Sequence, residues 1–248
     1  MAVVAAALDR PWLGPVRTWA GQWLQRTHHA KVVSASDARR IISIDKPIEW
    51  RGLEHVVPFD VARDIVLDAS PTIALATCAC RAVAEKSGHR DGSCGPLSSC
   101  LYVGDPIASF VANRQADARI ITAEEALAVI EGAAQRGNVH TLWFKDAADG
   151  RMYAICNCCT CCCIGLRSQE AGFSPLAGSG ELAAVDAAAC TACGACERAC
   201  PFAAIGVDGV AVVDPALCLG CGVCARSCPT GAISMGPAPA GPAPLPWS

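Results

Sequence analysis

The chain has 248 residues, of which 52% are hydrophobic and 17% are charged, so it can bury a sizeable core and lacks the composition of a disordered protein. Its net charge of −3 gives no electrostatic sign of nucleic-acid binding. The 18 cysteines lie in tight clumps, and the chain shows neither a secretion signal nor an apolar run of about 20 residues. This pattern favours metal ligation in a soluble, cytoplasmic protein over disulfide bonding.

Residues 1–54 are predicted to form a helical, mildly basic segment. Trp12, Trp19 and Trp23 are spaced by seven and then four residues, which places them on one face of a helix. Such a stripe could meet a partner protein or a membrane surface, but packing onto the protein's own domain is the favoured interpretation.

Residues 55–173 are predicted to form a mixed α/β domain rich in cysteine. "PFDVARDIVLDA" (58–69) has a helical pattern, and "SPTIALAT" (70–77) reads as a buried strand that runs into Cys78. Thr122 and Glu125 form a capping-box pattern at the start of a helix that Gly137 is expected to end. "VHTLWF" (139–144) then reads as a strand.

Ten cysteines belong to this domain, at the ends of predicted strands and in one Gly/Pro loop. They are Cys78, Cys80, Cys94, Cys100, Cys156, Cys158, Cys159, Cys161, Cys162 and Cys163. Loops at strand ends can converge, so we expect a subset of these thiols to bind an additional metal centre. A third iron–sulfur cluster is the preferred interpretation, and structural zinc with four to eight of the thiols is the alternative. The surplus over four leaves open two clusters, a non-cubane centre with bridging thiolates, or free cysteines near a substrate.

Two further side chains are candidates near these thiols. Arg81 directly follows Cys80 and is expected to offset the negative charge of a thiolate-bound cluster. His140 could act as a ligand or proton donor, although a structural role at a strand start is favoured. The sequence contains no phosphate loop, no dinucleotide-binding glycine motif in a strand–helix context and no CxxxCxxC spacing of radical S-adenosylmethionine enzymes.

After a predicted linker at 174–184, residues 185–236 contain an internal repeat. "DAAACTACGACERACPFAAI" and "DPALCLGCGVCARSCPTGAI" each carry C-x2-C-x2-C-x3-C-P, and the second copy follows the first by 28 residues, as Cys218 follows Cys190. Each half is too short to bury a face alone, so the two should pair as one pseudo-symmetric domain. The proline-rich tail, residues 237–248, is predicted to be extended and mobile.

The repeated motif resembles the bacterial-type ferredoxins that carry two [4Fe–4S] clusters, over residues 185–236. The resemblance implies a ferredoxin-like fold that passes single electrons, and crossed ligation in which the fourth cysteine of each motif binds the other cluster. The implied ligands are Cys190, Cys193, Cys196 and Cys228 for cluster 1, and Cys218, Cys221, Cys224 and Cys200 for cluster 2. The expected fold class is α+β, with this dicluster domain following a larger N-terminal mixed α/β cysteine-rich domain.

The order of "ATCACR", "ITAEEALAVIEGAAQRGNVH" and "ICNCCTCCC" before the two repeats also resembles a largely uncharacterised family of bacterial and archaeal iron–sulfur proteins, over roughly residues 55–236. That resemblance implies a multi-cluster redox protein. Three functions fit the sequence. The first is an electron-transfer protein, or the electron-transfer component of an oxidoreductase, that serves redox partner proteins. The second is a reductase whose upstream centre reduces a substrate, and the third is a zinc-stapled module that docks a ferredoxin onto a complex.

Overall fold

The computed structural model describes residues 18–19, 22–23, 26–57, 64–88, 94–145, 148–170 and 172–247. Helices and strands are mixed along the chain, as the α+β prediction requires. The strands are β1 (His28–Val33), β2 (Ile48–Trp50), β3 (Ile65–Leu67), β4 (Ile73–Thr77), β5 (Ser98–Val103), β6 (Arg119–Ile121), β7 (Val139–Lys145), β8 (Met152–Cys158), β9 (Leu176–Ala177), β10 (Glu181–Val185), β11 (Ile205–Asp208), β12 (Val210–Val213) and β13 (Ile233–Pro237). The helices are α1 (Ala35–Ile42), α2 (Ala79–Lys86), α3 (Ile107–Arg114), α4 (Ala123–Gln135), α5 (Ile164–Glu170), α6 (Ala195–Ala199) and α7 (Val223–Ser227).

Within the described ranges, the upstream part of the chain is built on a seven-stranded sheet in the order β6-β4-β5-β8-β7-β1-β9. Neighbouring strands are antiparallel except β1 and β9, which are parallel. Because β4 and β8 both lie antiparallel to β5, the last residues of β4 and β8 lie beside the first residues of β5, at one end of these strands. Most of the upstream cysteines lie at that end of the strands.

The two faces of the sheet have different partners. Leu101 of β5 and Ile155 of β8 pack into the main hydrophobic core together with residues of α1 and α4. Successive side chains of a strand point to opposite faces, so Cys100 and Cys156 project from the other face, where their Sγ atoms lie 3.9 Å apart. The sheet therefore separates an apolar, helix-covered core from a thiol-bearing face.

Helix α4 begins at the predicted capping box. The Thr122 hydroxyl accepts a hydrogen bond from the Glu125 backbone N–H at 3.1 Å, and the Glu125 carboxylate accepts one from the Thr122 N–H at 3.0 Å. The helix ends at Gln135, and Gly137 follows with a positive φ of 75°. Both signals were correctly read from the sequence, and strand β7 follows where it was predicted.

The prediction of a helical N-terminal segment is wrong for residues 28–33 and 48–50, which form β1 and β2. Strand β1 lies between β7 and β9, and all six of its residues are buried, so pairing on both sides outweighs local helical preference. Trp12 lies outside the described residues, Trp19 is 58% exposed, and the Trp23 ring lies 5.1 Å from that of His28. None of the helices in the described ranges is long and apolar enough to cross a bilayer.

Two other segments differ from their predictions. Residues 65–67, inside the predicted helix at 58–69, form β3, which pairs with β2, while 58–63 lie outside the described residues. The β-branched Ile65 and Val66 suit this pairing better than a helix. Residues 176–177 of the predicted linker form β9 at the edge of the sheet.

Lys31 of β1 connects three separate segments of the chain. Its side chain is fully buried, and its ammonium donates hydrogen bonds to the carbonyls of Val56 (3.1 Å), Gly178 (2.8 Å) and Ala243 (2.8 Å). Three donors meet three acceptors, which offsets part of the cost of burying the charge. Burial lowers the pKa of Lys31 to about 8.

The C-terminal module consists of two antiparallel strand pairs and two short helices. Strand β10 pairs with β13 and β11 pairs with β12, and the helices α6 and α7 contact each other. Its small core includes Ala183, Ile205, Ala211 and Ile233, and cysteines of both repeats pack around it. The duplicated sequence thus folds as one unit with paired halves.

The proline-rich tail is extended but packed against the upstream domain, so the prediction that it is mobile is wrong. Trp247 stacks edge-on against Trp50 with ring centroids 4.8 Å apart, and the Arg40 guanidinium lies 4.0 Å from the Trp247 ring. The Trp247 indole N–H donates to Asp37 at 2.7 Å, and Leu245 is buried. The prolines keep the segment extended while the apolar side chains between them supply the packing.

We expect Trp247→Ala to destabilise the protein by about 2 kcal/mol, because a half-buried aromatic ring loses its stacking partners and its hydrogen bond. In a domain of this size such a loss lowers the melting temperature by about 4–8 °C, measured by circular dichroism under anaerobic conditions. Trp19→Ala, which removes a largely exposed ring, is the matched control and should leave the melting temperature nearly unchanged. Equal melting temperatures for the two variants would contradict the packing of the tail.

Candidate metal centres

All 18 cysteines are free thiols, and the eight of the C-terminal repeats surround two cavities. The first cavity, called cage 1, is lined by Cys190, Cys193, Cys196 and Cys228. The second, called cage 2, is lined by Cys200, Cys218, Cys221 and Cys224. Each cage therefore takes three thiols from one motif and the fourth from the other motif, which is the crossed arrangement that the resemblance implies.

Helices α6 and α7 produce the crossing. Cys196 lies within α6 and faces cage 1, whereas Cys200 caps the carboxyl end of the same helix and faces cage 2. Cys224 and Cys228 occupy the same positions of α7 with the cages exchanged. One short helix thus carries ligand candidates of both cages.

Backbone N–H groups point at several of these sulfur atoms. Ala204 N–H donates to Cys200 Sγ and Ala232 N–H donates to Cys228 Sγ, both at 3.3 Å, and Thr230 is a further partner of Cys228 at 3.6 Å. These bonds stabilise thiolates, and they lower the pKa of Cys228, with the Thr230 hydroxyl as the main cause. Burial instead raises the pKa of Cys221 to about 12, so this thiol needs a metal to deprotonate it.

The ten upstream cysteines divide into two sets. The first, called the six-thiol ring, consists of Cys78, Cys80, Cys100, Cys156, Cys158 and Cys163. The second, called the four-thiol site, consists of Cys94, Cys159, Cys161 and Cys162. The structure thus brings together all ten thiols that the sequence selected, but at two places and not one.

The members of the six-thiol ring interact in pairs around a closed circuit. The order is Cys78, Cys100, Cys156, Cys158, Cys163, Cys80 and back to Cys78. Three local features produce this order. Strand β4 ends directly before the N-cap of α2, so Cys78 and Cys80 lie in one turn. Cys156 and Cys158 are two residues apart on one face of β8, and Cys163 directly precedes α5.

The ring has two sulfur atoms that favour the thiolate form, and they lie opposite each other in the circuit. Hydrogen bonds from Cys100 and Cys80 lower the pKa of Cys78, and hydrogen bonds from Cys156 and Cys163 lower the pKa of Cys158. The pKa values of the thiols between them are raised, since each donates a hydrogen bond to a neighbouring sulfur and is buried.

A cavity of about 340 Å³ opens beside the ring. Four aromatic residues form much of its wall, namely Tyr102, Phe110, Trp143 and Tyr153, and none of the described residues that line it is acidic. His28 and Lys145 supply polar groups, and burial lowers the pKa of His28 to about 4, so its imidazole is neutral at pH 7. The cavity can hold a small molecule in contact with thiol sulfur.

The four-thiol site is more compact than the ring. Its four Sγ atoms all lie within 4.8 Å of one another, with Cys94 and Cys162 at 3.8 Å and Cys161 and Cys162 at 3.4 Å. Among the described residues, no other group of three or more His, Cys, Asp or Glu side chains meets that limit.

Arg81 lies between the two upstream sets, as its position after Cys80 suggested. It is 1% exposed, and its guanidinium donates to the carbonyls of Pro96 (2.6 Å) and Asn157 (2.9 Å). Burial opposes its charge, but a hydrogen bond to Cys159 and the nearby thiolates outweigh burial and raise the pKa of Arg81. A permanent cation thus sits among ten thiols.

His140 has the structural environment that the sequence favoured. Its Nδ1 hydrogen-bonds the Asn157 side-chain oxygen at 2.8 Å, and Asn157 in turn donates to the Ser99 carbonyl at 2.8 Å. Burial lowers the pKa of His140 to about 4, so the ring is neutral and holds β7, β8 and β5 together. It does not line the cavity beside the six-thiol ring.

Cage 2 is the cage that faces the upstream thiols. Cys94, Cys158, Cys159 and Cys161 line one cleft together with Cys200 of cage 2. Leu219, Cys221 and Val223 of the second repeat pack into the apolar cluster that contains Cys158 and Cys163. Ser179 fixes this contact, with hydrogen bonds between its N–H and the Leu219 carbonyl (3.0 Å) and between its hydroxyl and the Gly220 carbonyl (2.8 Å).

Residues 189–232 match the sequence profile of a family described as the 4Fe-4S dicluster domain. No curated protein matches the chain. The C-terminal part of the chain is therefore an iron–sulfur module of the ferredoxin type, as the repeated motif predicted. The family match covers none of the upstream cysteines, so only the structure describes the ring, the four-thiol site and the cavity.

Substitutions at two glycines of the second repeat can test how cage 2 is attached to the upstream domain. Gly220 and Gly222 have φ values of 66° and 76°, so a side chain at either position strains the backbone by about 1–2 kcal/mol. A Cβ at Gly220 would also collide with Ser179 and the Glu181 carbonyl, whereas a Cβ at Gly222 meets nothing within 4 Å.

We therefore expect Gly220→Ala to lower the melting temperature clearly more than its matched control Gly222→Ala, and to detach cage 2 from the upstream domain. Anaerobic thermal unfolding and limited proteolysis at the module boundary measure the two effects. Identical melting temperatures and cleavage rates for the two variants would show that Gly220 does not lie against Glu181.

Proposed function

We propose that this protein transfers electrons through two [4Fe–4S] clusters, in cages 1 and 2, to a third iron–sulfur centre bound by the six-thiol ring. The observation that carries the proposal is the contact between cage 2 and the ring: Cys158 lines one cleft with Cys200 of cage 2, and Cys158 and Cys163 share an apolar cluster with Cys221. Such clusters supply one-electron chemistry when bound, and the protein supplies their ligands, their spacing and their insulation from water.

The cages fit cubane clusters because each offers four thiols around a cavity. Backbone N–H groups of Ala204 and Ala232 already point at ligand sulfurs, which is the kind of hydrogen bond that tunes cluster potentials. Since α6 contributes Cys196 to cage 1 and Cys200 to cage 2, the two clusters would lie one short helix apart. This arrangement favours transfer between them.

The six-thiol ring fits a multi-iron centre better than zinc. A single zinc ion in a structural site uses four ligands, so it would leave two ring thiols unused. A centre with several irons can use more than four sulfurs, through additional or bridging thiolates. Arg81, whose charge is permanent, lies close enough to Cys78 to reduce the negative charge of such a centre.

An anaerobic count of iron and acid-labile sulfide tests the proposal, with the variants Cys193→Ser and Cys156→Ser as a matched pair. Cys193 belongs to cage 1 and Cys156 to the ring. We expect more than about eight irons per chain in the wild type. Cys193→Ser should lose the iron of cage 1 and keep the ring iron, whereas Cys156→Ser should lose the ring iron and keep that of cage 1. A wild-type count near eight that Cys156→Ser leaves unchanged would contradict a third centre.

A second function, reduction of a small substrate, is favoured by the cavity beside the ring. A relay would need no space of about 340 Å³ with aromatic walls next to its sulfur ligands, whereas a substrate site needs such a space. In this case the ferredoxin module would deliver electrons and the ring centre would pass them to the bound molecule. The partner that supplies the electrons would be a separate redox protein.

Cyanide, a small ligand of iron, distinguishes the two functions. If the ring centre has an open position, cyanide should change its paramagnetic resonance signal and leave the signals of the cage clusters unaltered. Ala79 is exposed at the cavity, so Ala79→Trp should weaken the cyanide effect without removing a thiol. A ring signal that is insensitive to cyanide would favour a closed relay and contradict the reductase.

A further inference from the structure

We infer that Cys94, Cys159, Cys161 and Cys162 bind a single zinc ion in tetrahedral geometry, separate from the iron–sulfur centres. The inference goes beyond the electron-transfer function, because it concerns a site that would take no part in electron transfer. It rests on the spacing, the burial and the charge of the four-thiol site.

The spacing of the sulfur atoms fits one ion. Four thiolates on a tetrahedral zinc, at the usual Zn–S distance of about 2.3 Å, lie about 3.8 Å from one another. The Cys94 and Cys162 sulfurs are 3.8 Å apart, Cys161 and Cys162 are 3.4 Å apart, and all four Sγ atoms lie within 4.8 Å of one another. A cubane holds each thiolate on a different iron and so spreads the four sulfurs farther apart.

Cages 1 and 2 can be compared with the four-thiol site in the same molecule. In cages 1 and 2, four thiols surround a cavity, and among the described residues neither set of four has all its sulfurs within 4.8 Å. In the four-thiol site the sulfurs approach one another directly and leave room for one ion only. The two kinds of thiol group therefore differ in the way that cluster sites and zinc sites differ.

Three of the four ligands are buried, as in structural zinc sites, and Cys161 is half-buried at the cleft shared with Cys200. Cys94 is 4% and Cys162 is 2% exposed, Cys159 is also buried, and the three form one apolar cluster with Ala84 of α2. Four sulfur ligands complete the tetrahedron, so no position remains for water or substrate. Zinc has no redox chemistry and would not divert electrons from the neighbouring centres.

Charge and backbone contacts support a fixed dianionic site. Four thiolates and one zinc ion carry a net charge of −2, and the buried guanidinium of Arg81 hydrogen-bonds Cys159. The same guanidinium donates to the Pro96 carbonyl, and the Asn138 side chain donates to the Cys94 carbonyl at 3.2 Å. These bonds hold the loop of Cys94 against the turn that contains the other three ligands.

The position of the site gives the ion a role. Cys159, Cys161 and Cys162 lie between Cys158 and Cys163, which both belong to the six-thiol ring. Tying this turn to the loop of Cys94 fixes where those two ring thiols point. The zinc ion would be a staple that positions the ligands of the redox centre.

Elemental analysis and zinc-edge X-ray absorption on the full chain, purified without oxygen, test the inference. We expect one zinc per chain, with four sulfur neighbours at about 2.3 Å and no nitrogen or oxygen in the first shell. This measurement uses the wild-type protein, so it holds even where a variant fails to fold. Zinc well below one equivalent, or zinc bound through nitrogen or oxygen, would overturn the inference.

The half-buried Cys161 provides the variant, and Cys156 of the ring provides the matched control. Cys161→Ser should weaken zinc retention against a chelator at least about tenfold while the iron count stays the same. Cys156→Ser should lower iron and leave zinc in place. Zinc that survives Cys161→Ser, or iron lost from that variant in place of zinc, overturns the zinc site, while the wild-type iron count separately decides the third cluster.

Discussion

The antiparallel register between β5 and β8 is the constraint on which the upstream chemistry depends. Leu101 pairs with Ile155 in this register, which sets Cys100 beside Cys156 with their sulfurs 3.9 Å apart. A shift of one residue would turn the β8 thiols toward the helix-covered core and place Ile155 on the thiol face. The ring exists because the apolar residues between the cysteines bury themselves against α1 and α4. Hydrophobic burial thus aligns the sulfur atoms of the ring.

The second constraint is the attachment of the ferredoxin module to that sheet. The contacts that hold the module most firmly are a few hydrogen bonds from polar side chains. Ser179 holds the cage 2 loop through Leu219 and Gly220, and Lys31 holds the preceding segment through the Gly178 carbonyl. Lys31 also binds the tail through Ala243, so one buried ammonium joins the first strand of the sheet to both ends of the module. An ion pair between Arg226 and Glu131 at 3.5 Å adds little, because both side chains are well exposed. The distance between cage 2 and the ring is thereby fixed by hydrogen bonds to backbone groups.

Much of this arrangement follows from local sequence signals, and the remainder depends on long-range pairing. The capping box of Thr122, strand β7 and the repeated cysteine motif are local patterns, and all three appear where they were predicted. Strand β1 was missed because a sequence such as "HHAKVV" becomes a strand only when β7 and β9 flank it. The docked tail was missed because its partners, Trp50 and Arg40, are about 200 residues away in the chain. The ten upstream thiols, selected together as metal candidates, divide into the ring and the four-thiol site; two centres were one of the alternatives, but the sequence did not assign the thiols to them. The available signal for this division was the spacing of Cys156 and Cys158, which are two residues apart and so lie on one face of a strand. Cys159, Cys161 and Cys162 follow in the turn after that strand.

The central claim is that the six-thiol ring holds a redox centre near enough to cage 2 to exchange electrons with its cluster. Magnetic coupling measures this most directly, because two reduced paramagnetic centres at short range split and broaden each other's resonance signals. The fully reduced wild-type protein should show such coupling on the cage 2 signal, and the coupling should vanish when the ring loses Cys156 while the cage 2 signal itself remains. A cage 2 signal of identical shape in both proteins would contradict a redox centre in the ring.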